Sequence, residues 1–301
     1  MLLPGILFGL AAATCQSLSY LQSRHFVGAS RERGVLLLLL AHLIQGLICL
    51  ALLPVLWPAT MPPWRQYAVP IVVESLGYLV GQACLFAALR RVEASRIAPV
   101  LSFKIAILAI LSQVLLGRSI TGQQWLAVLL AVAAAWLLQW SGGRFTPRTL
   151  ATVLLGCTGY AISDLYIRVA IERMAPVPPV QAALTACALS YAFCGLAVLP
   201  LWWWVRRVRA ADVRQATPYA LTWLTSMGFL YLCFGLAGVI LGNIVQSSRG
   251  LISILVGPWL SRHRHWGHLE SVQPPHAIAR RAACALLMVA AVALYVLGAA
   301  P

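Results

Sequence analysis

Thr14-Cys15-Gln16-Ser17-Leu18-Ser19-Tyr20-Leu21-Gln22-Ser23-Arg24 returns later in the chain as Thr158-Gly159-Tyr160-Ala161-Ile162-Ser163-Asp164-Leu165-Tyr166-Ile167-Arg168, with Thr, Ser, Leu and Arg kept in register. Two further echoes follow in the same order. Ser75-Leu76-Gly77-Tyr78-Leu79 pairs with Ser226-Met227-Gly228-Phe229-Leu230, and Ser102-Phe103-Lys104 pairs with Ser247-Ser248-Arg249. Each echo is weak alone, but each relates one apolar segment to the fifth apolar segment after it. Five is odd, so the second copy enters a membrane upside down relative to the first, the arrangement of an inverted-repeat transporter.

The apolar segments themselves are plain. Of the 301 residues 61% are hydrophobic and 10% charged, against about half and a quarter in an ordinary soluble domain. A span needs about 20 predominantly apolar residues. Ten candidates fit, at 2–22, 35–57, 67–89, 97–117, 120–140, 149–171, 179–204, 217–237, 240–260 and 280–299. Proline-rich 58–63 and Ser141-Gly142-Gly143 close the second and fifth, and Pro176-Val177-Pro178-Pro179 opens the seventh. Trp202-Trp203-Trp204 before Arg206-Arg207 reads as an interfacial belt. The expected fold is therefore an all-α integral membrane protein of ten transmembrane helices, arranged as two inverted five-helix repeats, 1–143 and 144–301.

A net charge of +15 would suggest nucleic acid as a partner in a soluble protein. Here its placement argues for topology and against nucleic acid. Arg24, Arg31, Arg33, Arg90, Arg91, Arg96, Arg144, Arg148, Arg206, Arg207, Arg209, Arg214, Arg262, Arg264, Arg280 and Arg281 all fall at odd-numbered loops. Even loops hold only Arg65, Arg118, Arg168 and Arg173. By the positive-inside rule the odd loops are cytoplasmic and both termini outside. The eight cysteines lie in apolar runs without a CxxC and read as packing residues.

Ala88-Leu89, Ala94-Ser95, the helix end Leu115-Leu116-Gly117, then Gly122 and a Gly/Ala-rich fifth segment resemble the ten-helix EamA-like branch of the drug/metabolite transporter superfamily. The resemblance covers essentially the whole chain and implies transport of a small metabolite across a plasma membrane, the inner membrane of a bacterium. It also implies termini in the cytoplasm, opposite to the arginine count. One position departs from the family pattern: the glutamate usual after the Leu-Gly is here Arg118.

Two basic residues remain within the slab, Lys104, the chain's only lysine, and Arg249; Glu74 and Asp164 join them there. A charge at mid-membrane costs about 2.5–3.5 kcal/mol on insertion scales, so each is a candidate functional group. Helical rise places Glu74, Asp164 and Arg249 about 10–13 Å from the even-loop face and Lys104 about 20 Å from it. On those depths Lys104 has no acid at its level, Arg249 has two, and Asp164 has Arg168 as its i,i+4 neighbour. Glu74 shares a helix face with Tyr78 and Gln82. It is a candidate proton-coupling group, with a charge pair as the plainer reading, and Asp164 is placed in the same class. Asn243, Gln246 and Ser247 form a polar face of the ninth segment. The sugar-phosphate translocators of this superfamily grip phosphate with basic residues of helices four and nine, which implies an anionic substrate group between Lys104 and Arg249.

His263, His265, His268 and His276 with Glu270 match no ligand spacing, and no phosphate-loop, triad or HExxH pattern occurs, so neither metal nor cofactor nor enzymatic chemistry is expected. The expected function is a multi-pass secondary transporter working by alternating access on a small polar, anionic metabolite, with proton coupling. A lipid or lipid-linked headgroup flippase of the same fold is the alternative, and a membrane-embedded enzyme a more distant one. The expected partners are that small-molecule substrate and the lipid bilayer, with a homodimer left open.

Overall fold

A computed structural model of the chain describes residues 2–27, 31–89, 101, 103–139, 146–205, 207–248 and 275–298. The described residues form helices α1 (Leu2–Val27), α2 (Arg31–Leu56), α3 (Ala68–Leu89), α4 (Phe103–Leu116), α5 (Gly122–Gln139), α6 (Pro147–Arg173), α7 (Pro179–Ala197), α8 (Ala210–Ala237), α9 (Val239–Gln246) and α10 (Pro275–Leu297). Short 3-10 turns lie at Trp64–Gln66 and Leu199–Trp204. Among the described residues there is no strand.

Six of these helices are long and apolar enough to cross a membrane: α1, α2, α3, α6, α7 with its 3-10 extension to Trp204, and α8. Phe103–Leu116, Gly122–Ala134 and Leu286–Leu297 are apolar but shorter. The burial pattern is that of a protein in lipid. Val55, Val114 and Leu286 are 81, 73 and 72% exposed, whereas Ser19, Gln45 and Thr185 are fully buried. Water would drive the first set inward; hydrocarbon leaves it outside and forces polar groups to find partners within the bundle. This is a multi-pass membrane protein.

Several boundaries differ from those read off hydropathy. Helix α8 begins at Ala210, seven residues before the apolar segment, because the Asp212 carboxylate accepts the Arg209 amide at 3.0 Å and starts the helix in its polar flank. Pro218 is tolerated inside it. Helix α7 stops at Ala197, and the belt tryptophans sit on the 3-10 turn beyond, with Trp203 90% exposed. Helix α6 starts at Pro147 under Thr146, whose Oγ1 accepts the Thr149 amide. The histidine-bearing stretch 263–270 lies outside the described residues.

The most extensive packing joins α3 to α6 and α1 to α8, followed by α2 with α7 and α5 with α10. Lesser contacts join α4 to α6, α1 to α9, α2 to α8, α3 to α7, α4 to α5 and α9 to α10. Small residues make the close seams, as van der Waals packing in lipid requires. Gly46 of α2 faces Gly195 of α7 so closely that a Cβ on either would stand 2.9–3.0 Å from the other's Cα. A Cβ on Gly159 of α6 would meet the Gly77 carbonyl oxygen at 2.8 Å and the Gly81 nitrogen at 3.1 Å. Both are backbone atoms of α3 and cannot rotate away. Gly159→Ala is therefore expected to destabilise the protein by about 1–3 kcal/mol, read as a lower melting temperature in detergent. Gly122→Ala serves as the control: its Cβ meets nothing within 4 Å, and an unchanged Gly159→Ala melting temperature would contradict the tight seam.

Candidate functional site

Lys104 stands in the first turn of α4, and its Nζ donates to Asp164 Oδ2 of α6 at 2.7 Å and to Gln246 Oε1 of α9 at 3.2 Å. Gln246 Nε2 donates in turn to Gln16 Oε1 of α1 at 3.1 Å, and Gln16 Nε2 lies 3.9 Å from Met227 Sδ of α8. The ammonium also lies 6.0 Å from the centroid of the Tyr160 ring, within cation–π range. One chain of polar contacts thus ties five helices together. The Lys104 and Asp164 side chains are only 13 and 6% exposed. A desolvated pair of this kind needs extra hydrogen bonds to offset the loss of water, and Gln246 supplies one.

This cluster borders a chamber of about 40 Å³, lined also by Tyr20, Tyr78, Leu101, Ser163, Trp223 and Leu230. Such a volume holds a few waters at about 10–15 Å³ of free space each. The chamber is closed down around its charge pair.

An aromatic network backs the chamber. His42 Nδ1 lies 2.6 Å from the Leu38 carbonyl, which can only accept, so that nitrogen carries the proton. His42 Nε2, 3.2 Å from the Tyr78 hydroxyl, is then the acceptor, while Tyr78 Oη accepts from Gln82 Nε2 at 3.0 Å. Trp223 Nε1 donates to Tyr191 Oη at 2.9 Å. The Tyr78 phenol is held from two sides and set into the chamber wall.

Glu74 occupies a different place. Its Oε1 accepts from Tyr231 Oη at 3.1 Å and is in contact with Ser190 Oγ, while Oε2 has no hydrogen-bond partner. The residue is 1% exposed and does not line the Lys104 chamber. Of the polar stripe expected on α3, Tyr78 and Gln82 are joined to each other, and Glu74 turns instead toward α7 and α8.

The remaining sequence candidates are distributed around this core. Asn243 is buried on α9, donating to the Val239 carbonyl at 3.0 Å with Oδ1 unpartnered, and Ser247 Oγ donates to the Ile244 carbonyl at 2.6 Å. Arg249 lies outside the described residues, so the anion site expected between it and Lys104 is represented by Lys104 alone. Two expectations are corrected. Lys104 does have an acid at its level, Asp164. Arg168 does not serve Asp164: its Nε donates to Glu172 at 2.7 Å and its Nη1 to the Phe234 and Gly235 carbonyls at 2.8 and 2.7 Å. Counting along separate helices from their expected ends gave the two residues different levels, whereas the folded chain brings their side chains together. Gln16, His42 and Tyr160 were not singled out from sequence. The signal available for two of them was position, since Gln16 and Tyr160 are equivalent residues of the repeated stretch.

Among the described residues no cluster of His, Cys, Asp and Glu is arranged to hold a metal. Residues 3–140 match the EamA-like transporter family. That stretch is similar to the family, whose members are membrane transporters, and the similarity is consistent with the drug/metabolite transporter superfamily. One solved structure, described only as "Crystal structure of protein", superposes on this chain with a TM-score of 0.70 at 19% identity, covering 99% of this chain and 98% of the other. At that identity the likeness concerns the fold alone. No curated protein matches the sequence.

Proposed function

We propose that this EamA-like protein is a secondary transporter of ten spans, built as two inverted five-helix repeats, that moves a small polar metabolite with an anionic group across a bacterial inner membrane. Lys104 receives that group, and Asp164 holds its place on the ammonium when the substrate is absent. The carrying observation is the Lys104–Asp164 pair at 2.7 Å in a small chamber lined by both halves of the chain.

Helix packing supports the repeat. Exchanging each helix for the one five positions away turns α1–α8 into α6–α3, α4–α6 into α9–α1, α2–α8 into α7–α3 and α4–α5 into α9–α10, while α2–α7 and α5–α10 map onto themselves. A pseudo-two-fold axis accounts for these matched pairings, while the α7–α8 contact has only a minor counterpart in α2–α3. The chamber fits the same axis: Gln16 and Tyr160, Tyr20 and Asp164, and Leu101 and Gln246 are equivalent positions by the sequence echoes, and all six line it. Inverted-repeat transporters keep their sites at such an interface and alternate access by rocking one half against the other.

Glu74 is the proton-exchanging group of this reading. Ser190 Oγ lies 2.8 Å from the Ala186 carbonyl as well as against Glu74 Oε1, and a hydroxyl has one proton to give. A protonated Glu74 satisfies both contacts, its O–H donating a hydrogen bond to Ser190 Oγ while the Ser190 hydroxyl donates to the Ala186 carbonyl.

Reconstituted vesicles preloaded with candidate amino acids, sugar phosphates or nucleotide sugars test the proposal by counterflow of the labelled compound. Exchange of at least one such compound is expected. Movement of a lipid-linked headgroup in place of every soluble compound would overturn it in favour of a flippase.

A further inference from the structure

A second cavity, about 200 Å³, opens between the end of α4, the start of α5, the start of α9 and the end of α10. Nothing in the proposed transport cycle uses it. Its wall holds Arg118, Ser112, Gln124, Tyr295 and the backbone from Gly238 to Leu241.

The chain reaches this cavity through two glycines with positive φ. Gly117 at +62° ends α4, its amide donating to the Gln113 carbonyl at 3.1 Å in a left-handed cap. Gly238 at φ +85°, ψ 161° breaks α8 from α9, a conformation that side-chain-bearing residues avoid. The break creates a helix N-terminus inside the bundle. The first intrahelical amide bond of α9 is Gly242 to the Gly238 carbonyl, and no side chain caps the turn before it. The Val239, Ile240 and Leu241 amides carry the positive end of the helix dipole at the cavity wall.

Charge at the cavity is net positive. Arg118 Nη2 donates to both carboxylate oxygens of Glu172, at 2.6 and 2.7 Å, and Arg168 Nε binds the same carboxylate. Two guanidinium groups share one carboxylate. The bonds to Glu172 use only Nη2 of Arg118, whose Nε and Nη1 carry further donors. An independent observation also points to a ligand. Ser112, 1% exposed on the cavity wall, has a hydroxyl with no partner, an omission that costs about 1–3 kcal/mol if nothing answers it.

We infer that this cavity binds a tetrahedral oxyanion, a phosphate or sulfate group, held by the α9 amides, Arg118 and the Ser112 hydroxyl. It is distinct from the Lys104 site: Ser112 lies eight residues beyond Lys104 on α4, about 12 Å, toward the face bearing the even loops. The group could belong to a free anion or to an anionic lipid headgroup, and the chemistry is the same.

Two probes separate the sources: inorganic phosphate, and dihexanoyl phosphatidylglycerol below its micelle concentration. Each is titrated into delipidated protein in uncharged detergent, against chloride at equal ionic strength, and followed by melting temperature and calorimetry. At least one probe is expected to stabilise the protein above chloride. Ser112→Val, which removes the hydroxyl without disturbing an ion pair, should weaken its binding about tenfold, and Arg118→Gln should weaken it at least as much. The double variant Lys104→Met with Asp164→Leu, which orphans no charge, should leave it unchanged, which keeps this site's failure separate from that of the transport site. Response to phosphate assigns a free anion; response to the lipid alone assigns a headgroup. No response to either probe, or a response that survives Ser112→Val, overturns the inference.

Discussion

Transport by Lys104→Ala is expected to fall to background while the protein still reaches the membrane. Among the described residues lining the chamber the ammonium is the cationic group, and Gln16, Gln246 and Tyr78 are neutral. Truncation also leaves Asp164, 6% exposed, without its 2.7 Å partner, and an orphaned buried charge typically costs about 3–5 kcal/mol. Lost activity in the single variant would thus mix a binding effect with a folding effect. The double variant Lys104→Met with Asp164→Leu separates them. Replacing a buried pair by apolar groups of similar size is often neutral or stabilising, so its melting temperature should equal or exceed that of the unaltered protein. Transport should still be absent. A double variant that moves the same substrate at the normal rate would remove Lys104 from the site.

The second large effect is expected on pH dependence. Glu74→Gln should flatten the dependence of transport rate on pH, where a one-proton step changes the unaltered rate by up to about tenfold per pH unit. The substitution keeps the shape and one acceptor oxygen, which takes the place of Oε1 beside Tyr231 Oη and Ser190 Oγ, while the NH2 stands where Oε2 had no partner. Packing is preserved and only the exchangeable proton is lost. Proton flux driven by a substrate gradient should vanish together with the pH slope. An unchanged slope in a variant that folds and transports would reject Glu74 as the coupling group.

The apolar helices and their order were legible from hydrophobic runs, because span length is a property of the one-dimensional chain; the inverted pairing suggested by three short echoes is part of the proposal. Cap chemistry was less visible. Asp212 starts α8 in a polar flank that hydropathy assigns to a loop, and the Gly238 break is one glycine in an otherwise apolar run. The candidate charges were found by their cost in lipid, but their partners were not. Lys104 meets Asp164 through the packing of α4 on α6, which counting along each helix does not reveal. His42 gave no signal at all: it sits alone in an apolar helix, and only the facing Tyr78 hydroxyl gives it a role. The partner of Arg118 was not visible in sequence: Glu172, from the other half of the chain, accepts from it and from Arg168.

The central claim, an anion-accepting site on the Lys104–Asp164 pair, is tested most directly by ligand-dependent melting of the purified protein across amino acids, sugar phosphates and nucleotide sugars. At a hundredfold excess over its dissociation constant a true ligand stabilises by about 2.7 kcal/mol, a clear shift in melting temperature. With inorganic phosphate present throughout to occupy the second cavity, the account predicts that at least one anionic compound produces this shift in the unaltered protein and none in the Lys104→Met, Asp164→Leu double variant. A shift of equal size in both proteins would contradict it.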